Sequence, residues 1–435
     1  MKPKSFMLIA GEASGDLLAA ELVRALRDEL SGVEALPTWD YQPLHTSLEP
    51  RFFGAGGSRL AAAGVDLAFD MTEHSVIGLA DAIKHYFKFR RLFSRLYLLA
   101  LERQPDAIIC VDFSGFNLRF ARAIRAYVSA HQDWFHVWKP KIVQYVSPQV
   151  WASREGRVYQ LARDYDLLLS IFPFEKEWYA RRVPQLPVEF VGHPLIDRHQ
   201  IAVTRSALSS SQHSPNSPLI LILPGSRPAE LMRHVPVMIG ALTKLRNEVS
   251  NIRARMVLPN ETLLRQAKGM ALPADLQVQS GGLAEALAQA DMAIASTGTV
   301  TMECAFFCVP TVAIYQSSWS NYQIAKRIVS VKYLAMPNLL ANEEIFPEFI
   351  QQAATVENIA NAALGLLRDE KRRANIKAKL AEITAGLGAP GASRRAAAAI
   401  MRLLDPELVP GPPLLTPRPL NHDARSSGRQ PAHSS

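Results

Sequence analysis

Four times along the chain a short apolar run breaks into a loop of Gly, Ser, Thr or Asp and passes directly into a helical pattern. The stretches are "FMLIAGEASGD" (Phe6 to Asp16), "AIICVDFSGFNLRFA" (Ala107 to Ala121), "LILPGSRPAEL" (Leu221 to Leu231) and "IASTGTVTMECAFFCVP" (Ile294 to Pro310). Apolar strands bounded in this way and alternating with helices describe a mostly parallel sheet covered on both faces. In the first half the pattern predicts strands at Phe6 to Ala10, Arg51 to Phe53, Ala107 to Val111, Ile142 to Tyr145, Leu167 to Ile171 and Val188 to Val191. It restarts at Leu219 to Leu223, with further strands predicted at Ala254 to Leu258, Met292 to Ala295 and Val312 to Tyr315.

A chain of 435 residues exceeds what one hydrophobic core usually supports, and the restart supplies a second. The expected class is α/β, with two Rossmann-like doubly wound domains facing a cleft. Residues 1–198 form the first domain and 219–405 the second. Between them, 199–218 ("HQIAVTRSALSSSQHSPNSP") reads as linker or surface loop, and 406–435 as a disordered Pro-rich tail. Ligands in such folds collect at the carboxyl ends of strands and in the cleft.

A formal net charge of +8 calls for an anionic partner, whether a phosphate-bearing substrate, an acidic lipid surface or nucleic acid. Part of that charge lies in "AIKHYFKFRRLFSRLYLLAL", Ala82 to Leu101, where Lys84, Lys88, Arg90, Arg91 and Arg95 interleave with Phe87, Phe89 and Phe93. As a helix it suits a headgroup layer, and equally a helix packed on its own domain with its cations snorkelling outward. No run is apolar and long enough to span a bilayer and no signal-peptide pattern opens the chain, so a cytoplasmic protein is expected. The three cysteines, Cys110, Cys304 and Cys308, make no disulfide framework and no metal-ligand spacing.

Each of the four loops offers chemistry beside a plainer alternative. "GEASGD" lacks the spacing of a dinucleotide fingerprint, and Glu12 would repel a pyrophosphate laid on the turn. Glu12 is more naturally aimed at sugar hydroxyls, or it caps the helix, as Ser14 and Asp16 could also do. Asp112, at the end of an apolar strand, is a candidate general base or a helix cap, with Asn117 placed to do similar work. Gly225, Ser226 and Arg227 combine backbone donors, a hydroxyl and a forked cation suited to a diphosphate; the alternative pairs Arg227 with Glu230. Ser296, Gly298 and Thr299 offer further donors, and Glu303, one turn on, could accept from a ribose diol or close a capping box. His193 in "FVGHPLID" is either a substrate contact or part of a rigid interdomain turn.

Taken in order, "LIAGEASGD", "SVIGL", "VDFSGFNLRFA", "YVSPQVWA", "FVGHPLID", "LPGSR", "STGTVTMECAFFCVP" and "YQIAKRIVSVKYLAMPNLLANEEIFPE" resemble the lipid-A-disaccharide synthases. These are inverting glycosyltransferases of the two-Rossmann-domain (GT-B) type. The resemblance spans roughly residues 6 to 350. It implies transfer of 2,3-diacylglucosamine from UDP-2,3-diacylglucosamine to the 6-hydroxyl of 2,3-diacylglucosamine 1-phosphate, with no metal and no cofactor. It further implies Asp112 as base, Arg227 as the essential arginine, Glu303 at the UDP ribose and Asn338 near the donor. Glu12, Ser14 and Asp16 would face the cleft. The partners implied are the inner-membrane surface on its cytoplasmic side and a second copy in a homodimer. The chain departs from the family pattern at Ser153, where an aromatic is usual, and in "DFSGFN". Both departures bear on acceptor contacts.

Rivals sharing the fold class are a nicotinamide oxidoreductase, whose glycine fingerprint is missing, and another UDP-sugar transferase or epimerase, which would not need the basic aromatic stretch. A nucleic-acid binder should gather its cations on a recognisable module, and no such module is present.

Overall fold

The computed structural model describes residues 3–32, 49–72, 82–133, 137–199, 217–329 and 331–406. Residues 200–216 of the expected linker, 407–435 of the tail, and the side chains of Lys84 and Phe87 lie outside the described residues.

Among the described residues two wholly parallel sheets form. The first comprises β1 (Ser5–Ala10), β2 (Arg51–Gly56), β3 (Asp66–Asp70), β4 (Ala107–Val111), β5 (Lys141–Tyr145), β6 (Leu167–Ser170) and β7 (Val188–Phe190), ordered 3-2-1-4-5-6-7. The second comprises β8 (Leu219–Leu223), β9 (Arg253–Leu258), β10 (Gln277–Ser280), β11 (Met292–Ser296), β12 (Thr311–Tyr315) and β13 (Glu348–Ile350), ordered 10-9-8-11-12-13. β1, β4, β8 and β11 are the central strands and are buried along their length. Their apolar character on both faces is what helices above and below a sheet require. β3, β10 and β13 lie at sheet edges, half-exposed, and carry Asp, Gln or Glu. They lack the continuous apolar run that marks a central strand, so the pattern missed them.

In each sheet the winding direction reverses between the first and fourth strands, β1 and β4 in one, β8 and β11 in the other. These are the two switch points, where the following loops diverge and leave a crevice. The four loops singled out in the sequence follow these four strands.

The expected second domain, 219–405, does not follow the packing at its end. Helix Ala392–Leu404 returns to the first sheet and packs on α1 (Ala13–Gly32) and β5. The "FVGHPLID" segment fastens it. Asp197 accepts the N–H groups of Gly391 and Ala392 at the start of the helix, and Arg395 donates to the Val191 carbonyl at 2.8 Å. Gly192 sits in left-handed backbone at φ 86, which favours glycine, and the Arg395 guanidinium lies 2.5 Å from where a Cβ would stand. His193 belongs to this turn: its Nδ1 accepts the Leu195 N–H at 3.2 Å, and burial followed by the Arg198 charge lowers its pKa to about 3.

Helix α3 (Ala82–Arg103) also resolves its two readings in part. Phe93 meets Phe116 and Phe120 edge-on at 5.4 and 5.7 Å, and Phe89 packs on the same core. At i and i+4 these rings share one face, and that face is turned inward. Phe89 and Phe93, expected among the membrane contacts, are thus half-buried against the core of their own domain. Arg95 lies over the Phe69 ring, whereas Lys88, Arg90 and Arg91 are exposed, as is Leu98.

Candidate active site

The first-unit side of the site is built by two loops pressed together. Asp112 and Phe113 both adopt left-handed backbone, at φ 50 and 43. The Phe113 ring lies where a Cβ on Gly11 would be, 2.3 Å away, and a Cβ on Gly15 would come 3.6 Å from that of Asp112. The glycines of "GEASGD" therefore admit the neighbouring loop and place Glu12 beside Asp112. The Asp112 main chain is gripped at both ends. Its N–H donates to the Tyr145 carbonyl at 2.9 Å. Its carbonyl accepts from Asn117 Nδ2 at 2.8 Å and Gln144 Nε2 at 3.1 Å. Gln144 Nε2 also reaches the carbonyl of Val146 at 3.2 Å, a β-branched residue held at φ 64. Left-handed backbone at such residues persists only where the surroundings over-determine it. The Asp112 carboxyl is raised to about 6, first by burial and then by the Glu12 carboxylate, against the Phe113 N–H.

Asp16 is placed differently from the expectation. Its buried carboxylate accepts the N–H groups of Gly57, Arg59 and Leu60 at 2.6, 3.0 and 3.2 Å, capping α2 (Ser58–Ala62) of the same unit, the helix that follows β2. Both oxygens are occupied, so Asp16 is a cap and not a substrate ligand. Ser14 is exposed.

Below "VSPQVW", Glu175 is fully buried and accepts from Trp151 Nε1 at 2.9 Å. Burial raises its pKa to about 8, against the donors Trp151, Phe172, Ser147 and Ile171. Just beyond, Ser153 forms an antiparallel bridge with Val329, joining the first unit to the second.

On the second-unit side, Gly225 (φ 118) turns the chain after β8, and Glu230 folds back to accept the Ser226 N–H at 3.0 Å. A Cβ on Gly225 would stand 2.4 Å from that carboxylate. Arg227 opens helix Pro228–Glu248 with 61% of its side chain exposed; its contact with Glu230, at 3.4 Å, leaves the guanidinium open to a ligand. His234, fully buried, fastens this loop to the one after β12: Nδ1 donates to the Pro224 carbonyl at 2.7 Å and Nε2 accepts the Gln316 N–H at 2.9 Å. That pattern needs the neutral ring, and burial lowers its pKa accordingly. At the end of β11 Ser296 is buried, while Gly298 (φ 123) and Thr299 stand exposed at the start of helix Thr299–Phe306.

Glu303, on that helix, faces the crossover from the first unit. Its Oε2 is 3.8 Å from His199 Nε2, whose ring leans on Phe306 and Phe307. Burial, and then the Arg198 charge, lower the His199 pKa, so this contact is not an ion pair near neutrality. Burial raises Glu303 to about 7, with Arg198 pulling it down. Arg198 in turn holds Glu21 of α1 through two nitrogens, at 3.0 and 3.3 Å. Asn338 lies apart from the loops. Fully buried, it donates to the Phe346 carbonyl and to Glu348 and accepts the N–H groups of Ile345 and Phe346, all within 2.7 to 2.9 Å. It shapes the 338–348 turn and has no capacity left for a nucleotide. Among the described residues no group of three or more His, Cys, Asp or Glu side chains could hold a metal ion.

The family model for lipid-A-disaccharide synthetase matches residues 6–401. The chain belongs to that family. Lipid-A-disaccharide synthases of Trichlorobacter lovleyi and Geobacter sulfurreducens are 33% and 34% identical, over 93% and 92% of this chain and 98% and 97% of theirs. In fold the chain is similar to the calicheamicin glycosyltransferase CalG4 (TM-score 0.53, 11% identity, 94% of this chain and 100% of that one). It is likewise similar to the UDP-GlcNAc 2-epimerase of Neisseria meningitidis (TM-score 0.54, 10% identity, 92% and 99%). As a lipid-A-disaccharide synthetase family member with two parallel sheets, the protein is a glycosyltransferase of the GT-B fold.

In this lipid-A-disaccharide synthetase family chain, the sequence reading missed Gln144, His234, Arg198 and Glu21. Gln144 left one signal, a lone amide in the apolar strand "KIVQYV"; the rest act across long sequence separations. Gln144→Leu keeps the volume and removes the donor shared by Asp112 and Val146. Thermal unfolding should show a loss of about 2 kcal/mol, and kcat should fall about ten-fold as the base drifts, with donor KM unchanged.

Proposed function

We propose that the protein transfers 2,3-diacylglucosamine from UDP-2,3-diacylglucosamine to the 6-hydroxyl of 2,3-diacylglucosamine 1-phosphate. The products are UDP and the β-1,6-linked disaccharide 1-phosphate, with inversion at the anomeric carbon. The family match over residues 6–401 carries this reading, and the Asp112 geometry supports it.

In a single displacement the acceptor O6 bonds to the anomeric carbon as the bond from that carbon to the diphosphate oxygen breaks. The O6 proton passes to Asp112, whose pKa near 6 leaves it ionised at pH 7 yet basic enough to accept. Arg227 and the N–H groups at the start of its helix offset the charge growing on the departing diphosphate. Gly225, Ser226, Ser296, Gly298 and Thr299 form the two donor-rich turns around the nucleotide, and the Glu303 carboxyl accepts from the ribose diol. Glu12 and Ser14 border the acceptor side. No step is routed through a metal. Among the described side chains of α3, Lys88, Arg90, Arg91, Arg95 and Leu98 are exposed and could meet the cytoplasmic face of the inner membrane, and among the described residues no helix is long and apolar enough to cross it.

The test is UDP release by the purified full chain given donor with and without acceptor, together with identification of the lipid product. Acceptor-dependent UDP release and a new disaccharide are expected. Interconversion of UDP-sugars without net UDP release would replace this reading with an epimerase.

A further inference from the structure

Three arginines of the first unit gather without an acid among them. Arg119 stands on α4 (Ser114–Ala130), two turns beyond Asp112, and Arg154 and Arg157 bracket the 3-10 turn Glu155–Arg157. Arg119 and Arg154 are exposed and Arg157 is half-buried. Arg157 caps helix Val158–Asp164, which packs on α4, and it lies within electrostatic reach of both others: burial, then Arg154, then Arg119 lower its pKa. Among the described residues none of the three guanidinium groups has a hydrogen bond or an ion pair. Glu155, the acid between two of them in sequence, is turned instead to Arg182.

Cations held together without a counter-charge repel, and an anion among them removes the repulsion. Guanidinium forks match phosphate oxygens in geometry. The turn is also held under constraint, with Arg154 in left-handed backbone at φ 57 and its carbonyl accepting the Arg157 N–H at 2.9 Å. Ser153, immediately before it, bridges to Val329, so the turn that carries Arg154 and Arg157 lies where the two units meet, on the unit that carries Asp112. The donor-rich turns for a nucleotide diphosphate belong to the other unit. A second, separate anion site on the acceptor side is what a phosphorylated acceptor requires.

We propose that Arg119, Arg154 and Arg157 form the subsite for the phosphate monoester of the sugar acceptor, an inference that rests on the acceptor reading above. The phosphate oxygens would replace the missing acid and orient the sugar with its hydroxyl toward Asp112.

The experiment uses the full-length protein with the double variant Arg154→Gln/Arg157→Gln, the single variant Arg119→Gln, and Arg122→Gln, an exposed residue of the same helix, as control. KM is measured for the phosphorylated acceptor, for the same diacylglucosamine without phosphate, and for the donor. Binding to vesicles of phosphatidylethanolamine and phosphatidylglycerol is measured in parallel. Loss of charge-assisted hydrogen bonds should raise the phosphorylated acceptor's KM about 10- to 100-fold. The preference over the unphosphorylated sugar should vanish, with donor KM and vesicle binding unchanged and the control like wild type. Retention of the preference overturns the proposal, and if vesicle binding falls instead, the arginines serve lipid headgroups. Should the wild type form no disaccharide, the acceptor reading itself fails; the subsite is then judged by direct titration with glucosamine 1-phosphate, where equal binding by wild type and double variant overturns it and weaker binding by the variant supports it.

Discussion

Asp112→Asn is expected to leave the fold and UDP binding intact while lowering turnover about 10²- to 10⁴-fold. Asparagine suits the position because, among residues other than glycine, it and Asp are the ones enriched in left-handed backbone, and Asp112 stands at φ 50. The contacts that hold the turn are made by main-chain atoms, the N–H to Tyr145 and the carbonyl from Asn117 and Gln144, and they survive the change. What is lost is the carboxylate. Since burial and Glu12 raise its pKa to about 6, and a base works only when ionised, wild-type kcat/KM should climb with pH and level off above about 6. The variant should lack that limb. A full pH–rate profile of both proteins, with UDP affinity measured by calorimetry, checks the expectation. Near-normal turnover in the variant would move the base to another group, with Glu12 the first to test.

Asp16→Ala should do the reverse. It strips the acceptor from three N–H groups at the start of α2, two of them buried. Each unpaired buried group costs about 1–3 kcal/mol, so a loss of about 3 kcal/mol or more is expected in denaturant unfolding. Turnover per folded molecule should change little. If stability held while KM for donor or acceptor rose, the carboxylate would be a ligand after all. Asp16 follows the glycine-bearing loop after β1 and Asp112 stands at the end of the neighbouring strand β4, yet their surroundings differ: one side chain is spent on backbone donors, the other lies beside a second carboxylate.

That contrast marks how far the linear pattern reaches. The central strands, the helices after them and the four loops at their ends were legible because burial on both faces demands unbroken apolar runs, and such runs end in turn residues. Family membership was legible for the same reason, since the motifs are those loops. The half-exposed edge strands β3, β10 and β13 were not, because one strand partner and a solvent-facing side permit Asp, Gln and Glu among the apolar residues. Asn338 looked like a site residue, and Phe89 and Phe93 like a lipid-facing surface, because a sequence position does not say which neighbour a side chain meets.

The sequence by itself determined the strand–loop–helix alternation, the two-unit organisation and the chemistry available at each loop. Tertiary structure alone decided which groups are free. It set Phe113 against Gly11 and spent Asp16 and Asn338 on backbone hydrogen bonds. It brought helix Ala392–Leu404 back to the first unit and left Arg119, Arg154 and Arg157 together with no acid. The physical reason is range. Apolar periodicity and turn chemistry act over a few residues, whereas hydrogen-bond satisfaction and charge balance depend on groups brought together from distant parts of the chain.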